Sequence, residues 1–229
     1  MKTAGIVGLA MMLSLVPLAV GWSHSLEELE NQLGDREKFF QPMDEPAPGF
    51  TLQDAEGRAV GLDDFRGKVV VLFFLYTNCP DVCPLHAERI AEVQARVNRT
   101  PMKDRVRFVG ITTDPARDTA EVMRAYGPAH GLDPASWVFL TGGADRPEDT
   151  TRLLARKFGH KFAKGDDGYQ LHGVVTHVID REGRWRANFH GLKFEPANLV
   201  TFLDALANDT HTARGQSERG FWDKLRALF

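Results

Sequence analysis

The chain has 229 residues, with 28 Lys+Arg against 31 Asp+Glu, a formal net charge of −3 with histidine neutral. So even a balance lacks the basic excess of nucleic-acid binders, and 43% hydrophobic with 26% charged residues excludes disorder as the general state. The only cysteines, Cys79 and Cys83, exclude a disulfide-stapled mini-fold and a four-cysteine zinc ribbon.

After Lys2, residues 4–20 carry no charge. Ala19 and Gly21 stand three residues and one residue before a cut at Trp22, small side chains that a signal peptidase accepts. Residues 4–22 could equally remain as an anchor across a hydrocarbon layer of about 30 Å. Residues 1–21 therefore read as a signal peptide or a membrane anchor. With Lys2 held inside, both readings place the rest of the chain outside the cytoplasm, in a periplasm-like compartment, free or anchored in the inner membrane. A close thiol pair is oxidised there unless it is reduced or metallated.

Leu26, Leu29 and Leu33 among Glu27, Glu28 and Glu30 give a short amphipathic helix within a 22–44 spacer. Pro46-Ala47-Pro48-Gly49-Phe50 reads as extended, with short strands expected around 54–58. Residues 68–76 contain Val69-Val70-Val71-Leu72-Phe73-Phe74-Leu75, the run of a strand buried on both faces. Further strands are expected at 106–112 and 137–140. Helical spacing occupies 85–97, 119–130 and 147–158, with Asp118 as the cap of the second. Residues 173–180 and 184–189, joined by Arg181-Glu182-Gly183, read as a hairpin, and 196–207 as a closing helix.

Strands alternating with helices imply parallel pairing. A βαβ half followed by a hairpin and helix is the arrangement of a thioredoxin-like α/β fold with a mixed sheet, here over 45–208. Residues 209–229 read as a polar linker and an amphipathic helix, with Phe221, Trp222, Leu225, Leu228 and Phe229 on one face. That face suits its own domain, a membrane surface or a partner.

The strand at 68–76 runs into Thr77-Asn78-Cys79-Pro80-Asp81-Val82-Cys83-Pro84. Pro84 suits the first position of the following helix, which places both sulfurs at a helix N-terminus, where the dipole favours thiolate. Four-residue spacing lets the pair chelate one ion or close a disulfide. Spacing alone does not choose between these, nor does it exclude two structural thiols.

Tyr76-Thr77-Asn78-Cys79-Pro80-Asp81-Val82-Cys83-Pro84, then Thr113-Asp114-Pro115-Ala116-Arg117-Asp118-Thr119, then the hairpin with its preceding histidine, resemble the SCO/SenC family. These are copper chaperones and thiol-disulfide proteins of cytochrome c oxidase assembly, and the resemblance runs from 46 to 207. It implies a thioredoxin-like fold, copper held by two cysteines and one histidine, and the binuclear copper centre of the oxidase as target. The family's ligand histidine lies eleven residues ahead of the hairpin glycine. Here that glycine is Gly183, so His172 is implied beside Cys79 and Cys83. His177, five residues on, faces the other side of a regular strand and is read as structural. His86, three residues past Cys83, is expected in solvent. Leu171-His172-Gly173 departs from the family's acidic residue followed by His-Ser or His-Thr.

Two thiolates and an imidazole suit Cu(I), and one added hard ligand accommodates Cu(II). A Cys2His set also accepts zinc, but compartment and resemblance favour copper. Two functions follow. The first is a metallochaperone that passes copper to the oxidase's copper-bearing subunit or another copper chaperone, with no small-molecule substrate. The second is a thiol-disulfide reductase using Cys79 and Cys83 as a redox pair on the acceptor. A peroxidase on the same fold is a weaker third. Asp81 is a candidate for tuning the thiolates or recognising a partner, and Asp114 and Arg117 for bracing the loops.

Overall fold

The computed structural model describes residues 26–143, 146, 149–165 and 168–208, with 164–165 and 168–172 described by their backbone. Its centre is β4 (Val69–Leu75), buried at every position, as its unbroken apolar run predicts. Parallel β5 (Val106–Thr112) and β6 (Trp137–Leu140) lie to one side of β4. On its other side come β9 (Val175–Ile179), β10 (Arg184–His190) and β1 (Phe40–Pro46), each antiparallel to the strand before it, giving a mixed sheet ordered β1-β10-β9-β4-β5-β6. The expected thioredoxin-like architecture is present.

Register places the site. Val69 pairs with Val106 and Leu75 with Thr112, so β4 and β5 end level and their following loops open at one end of the sheet. Strand β9 runs the other way, with Phe73 opposite Thr176, so the segment entering β9 reaches that same end.

On one face, α1 (Leu26–Arg36), α2 (Val82–Val97), α3 (Ala120–Ala129) and α5 (Pro196–Asn208) close over Phe73, Ile90, Phe189 and Phe202. On the other, α4 (Thr150–Lys157) covers Leu72, Phe74, Phe158 and Trp185. The stripe expected in α1 packs on the first core, with Leu33 buried and Leu26 and Leu29 against it. Just beyond α1, the Glu37 carboxylate accepts from Glu195 N and Asn198 Nδ2, tying the end of α1 to the first turn of α5. Trp137 lies over Gly110 on β5 and Gly127 on α3, where any Cβ would strike the indole.

Several local expectations are corrected. Residues 54–58 are not strands but the turn between β2 (Thr51–Gln53) and β3 (Ala59–Gly61). There Asp54 Oδ1 accepts from Glu56 N and Arg58 N, each at 2.9 Å, in the side-chain-to-backbone pattern that favours turns. The N-cap of α3 is Thr119, whose hydroxyl accepts from Val122 N, because the Asp118 carboxylate is engaged elsewhere. Edge strand β1 has no counterpart in the sequence reading. Nor does the hairpin of β7 (Lys161–Gly165) and β8 (Gly168–His172). The expectations for 1–21 and 209–229 lie outside the described residues. Among the described helices, none is long and apolar enough to cross a membrane.

Candidate metal centre

Beyond β4 the chain passes through Tyr76 and the loop 77–81 into α2, which starts at Val82. Pro84 is therefore the third helical residue rather than the first. Its missing N–H still costs nothing, since first-turn amides have no intrahelical partner. Cys83 lies on that first turn and Cys79 in the loop. Both are free thiols, 4% and 6% exposed, in the same buried cluster. Because both are buried, ligand exchange with a partner requires the loop to uncover them.

The thiols differ in environment. Burial pushes Cys79 up, but the backbone N–H groups of Asp81 and Cys83, the Cys83 thiol and the Tyr76 side chain together bring it below the ordinary thiol value. At Cys83 burial dominates. The Tyr76 backbone counters it, while Cys79 and the Asp118 carboxylate push the thiol further up. The pair thus holds one thiol poised to ionise and one that keeps its proton until a cation or a second sulfur compensates it.

Around the loop, Arg117 Nε donates to Asp114 Oδ2, the bracing expected of these two residues. Asp118, 2% exposed, accepts from the Thr77 backbone N–H and hydroxyl and from the Thr112 hydroxyl. A groove lined by Thr77, Asn78, Arg117, Val122, Ala125 and Tyr126 runs beside the cysteines. Val122 and, on α2, Leu85 are exposed.

The histidines divide. His86 is buried at 2% exposure, correcting the solvent placement: Cys83, His86, Ala87 and Ile90 form the helical stripe that faces the sheet. Its Nε2 lies 2.8 Å from Thr176 Oγ1, and burial, with His160 nearby, depresses its pKa to about 3. His177 is fully buried against His160 and Asn188, a structural position.

His172 ends β8, its backbone opposite Lys161, three residues ahead of β9 and hence on the path to the cysteine end of the sheet. Its side chain lies outside the described residues. Among the described residues, no group of three or more His, Cys, Asp or Glu side chains could hold a metal ion. The structure thus brings Cys79 and Cys83 together and describes the third expected ligand by its backbone.

Sequence reasoning missed Tyr76 and the true role of Asp118. Both lie inside the quoted motifs, so position was visible, but only the β4–β5 register shows what they touch.

Comparisons with known proteins show the family and the fold. The family described as SCO1/SenC matches residues 41–208. The chain is 32% identical over 177 residues to the mitochondrial SCO2 homolog of Bos taurus, covering 76% of this chain and 65% of that protein. The structure of Bradyrhizobium japonicum ScoI with copper bound superposes with TM-score 0.58 at 28% identity, over 70% of this chain and 98% of that one. BsSco, described as a member of the Sco family of cytochrome c oxidase assembly proteins and as carrying a disulfide switch, shares the fold. Its TM-score is 0.64 at 20% identity, covering 73% of this chain and 96% of that one.

Proposed function

Because this chain belongs to the SCO1/SenC family, we propose that it is a copper metallochaperone, acting outside the cytoplasm, that delivers copper to the binuclear copper site of cytochrome c oxidase. The observation that carries this reading is the pairing of two buried free thiols at the start of α2, Cys83 on its first turn and Cys79 in the loop before it, one of them held below its ordinary pKa. Two thiols four residues apart at one helix start suit one soft cation, and with the imidazole of His172 they form a low-coordinate set for Cu(I). A helix N-terminus favours the thiolate charge that the cation then neutralises. Exposed Leu85 and Val122 offer apolar contact to a protein acceptor rather than a pocket for a small molecule.

The asymmetry of the pair favours thiol-disulfide exchange as a second reading. The Cys79 thiolate attacks an acceptor disulfide and releases one acceptor thiol. Cys83 then attacks the Cys79 sulfur of the mixed disulfide and releases the other. Two electrons and two protons pass to the acceptor, and this chain is left with a Cys79–Cys83 disulfide.

The test is an anaerobic Cu(I) competition titration of the reduced protein beginning at Trp22, with Cys79→Ala, Cys83→Ala and His172→Ala variants and a parallel assay of acceptor-disulfide reduction. One tightly held copper per chain is expected, lost in either cysteine variant and weakened in His172→Ala, which keeps the disulfide. Absence of stable copper with rapid thiol exchange would establish the reductase instead. Loss of copper on His177→Ala but not on His172→Ala would overturn the ligand assignment.

A further inference from the structure

The sequence suggested Asp118 as a helix cap, but Thr119 caps α3 and leaves the Asp118 carboxylate turned inward. A buried carboxylate loses several kcal/mol of hydration unless donors replace it. Among the described ion pairs none includes Asp118, so hydroxyl and amide donors supply that replacement. The Thr77 backbone N–H lies 3.2 Å from Oδ1, and the Thr77 hydroxyl donates to the same oxygen. The Thr112 hydroxyl donates to Oδ2.

These donors belong to two different elements. Thr112 is the last residue of β5, paired across the ladder with Leu75, the last residue of β4. It is also fixed from behind, because its hydroxyl oxygen accepts from Asp114 N at 2.9 Å. Asp118 is fixed in turn by its own N–H, which donates to Asp114 O at 3.0 Å. Thr77 stands two residues past β4 and two before Cys79. The carboxylate therefore joins a rigid strand end to the root of the loop that carries the first thiol, while Cys83 is fixed independently by α2.

We propose that Asp118 is the positioning residue of the cysteine loop, its carboxylate tying Thr77 to Thr112 so that Cys79 is held against Cys83. Chelating one ion and closing one disulfide both require the two sulfurs to be near neighbours. A fixed loop makes either event intramolecular at high effective concentration, whereas a loose loop must lose conformational freedom first. The tie sets the thiol–thiol geometry without touching either sulfur. This rests on the proposed function only in taking the cysteine pair as the working site.

The test measures, on metal-free protein, the equilibrium of the dithiol with glutathione disulfide, in which the chain forms Cys79–Cys83 and two glutathione thiols are released. Asp118→Ala is expected to shift that equilibrium at least tenfold toward the dithiol, about 30 mV for a two-electron couple. Asp118→Asn keeps an acceptor for the Thr77 N–H and stays within about threefold of wild type, the conservative rescue. Thr77→Val, which removes one of the loop's two donors, falls between. A folded Asp118→Ala protein with the wild-type equilibrium overturns the proposal. If that variant does not fold, a tenfold shift in Asp118→Asn with none in Thr77→Val overturns it as well, because charge rather than the tie would then be responsible.

Cu(I) titration of the same variants separates this inference from the function it serves. No copper binding with a shifted equilibrium sinks the chaperone and keeps the tie. Copper binding with an unshifted equilibrium sinks the tie alone.

Discussion

His160 and His177 meet Nε2 to Nε2 at 2.8 Å beneath α4, and a tryptophan determines which ring carries the shared proton. Trp185 Nε1, which can only donate, lies 2.9 Å from Asn188 Oδ1. That oxygen is also 2.7 Å from His177 Nδ1, so His177 Nδ1 must bear hydrogen. Neutral His177 then has a bare Nε2, and His160 donates to it from its own Nε2. The chain continues from Asn188 Nδ2 to Gln41 Oε1, which also meets His190 Nε2 at the surface.

These tautomers are directly measurable. Nitrogen-15 spectra at neutral pH should show His177 in the Nδ1–H form and His160 in the Nε2–H form, against the usual preference of free imidazole for Nε2–H at both. An Nε2–H signal for His177 would mean that the Asn188 amide is turned the other way. His177→Phe removes both hydrogen bonds at once, leaving the His160 donor buried and unpaired, and should cost about 2–4 kcal/mol in urea denaturation.

The same burial sets an acid limit on stability. Burial lowers His86 to about 3, His160 to about 4 and His177 well below its ordinary value, with neighbouring histidines adding to each shift. Their folded pKa values lie below the unfolded value near 6.5, so in that window the unfolded chain binds protons that the folded chain does not. Stability is therefore full above about pH 7 and falls as pH drops toward 5. The slope approaches about 1.4 kcal/mol per pH unit for each of the three. Asp118 and Asp180, raised chiefly by burial, take up a proton more readily in the folded state than in the unfolded one and so oppose this loss. Urea midpoints from pH 7.5 to 5 test this. A flat profile would show that these rings titrate freely in the folded protein.

What the sequence revealed followed from local pattern. The run at 69–75 could only be a central strand, and Cys79, Cys83 and the 113–119 motif marked the site in advance. What it concealed depended on contacts distant in the chain. Strand β1, with Pro42 and Pro46, shows no alternation and is a strand because β10 supplies its partners, with the irregularity between Pro42 and Glu45 that an edge tolerates. His86 looked exposed because a histidine after a helix start is usually solvated. Thr176, ninety residues away, gives its buried nitrogen a partner. Asp118 sat in the right motif and served the wrong element for the same reason.

The unequal thiols predict an order of modification. Cys79, below its ordinary pKa, supplies the larger thiolate fraction at neutral pH, while Cys83 stays protonated and deeper. Limited alkylation with iodoacetamide at pH 7, read by peptide mass mapping, should label Cys79 at least tenfold faster than Cys83. Labelling of Cys83 first would reverse the attacking and resolving roles assigned above.

Trp137 connects the site to the rest of the fold. Its indole stacks on Phe73, with ring centroids 5.5 Å apart, and Phe73 in turn lies 4.8 Å from His86 on the cysteine-bearing helix. Gly110 and Gly127 make room for it, since a Cβ at either position would collide with the ring. Gly110→Ala should therefore cost about 1–3 kcal/mol by overpacking. Trp137→Phe alone should also destabilise, by leaving a cavity. Together they should cost less than the sum, because the smaller ring vacates the space that the new methyl needs. A coupling of at least about 1 kcal/mol in a double-mutant cycle is the expected result. Strict additivity would show that the strand shifts to relieve the clash, leaving Phe73 and the start of α2 undisturbed.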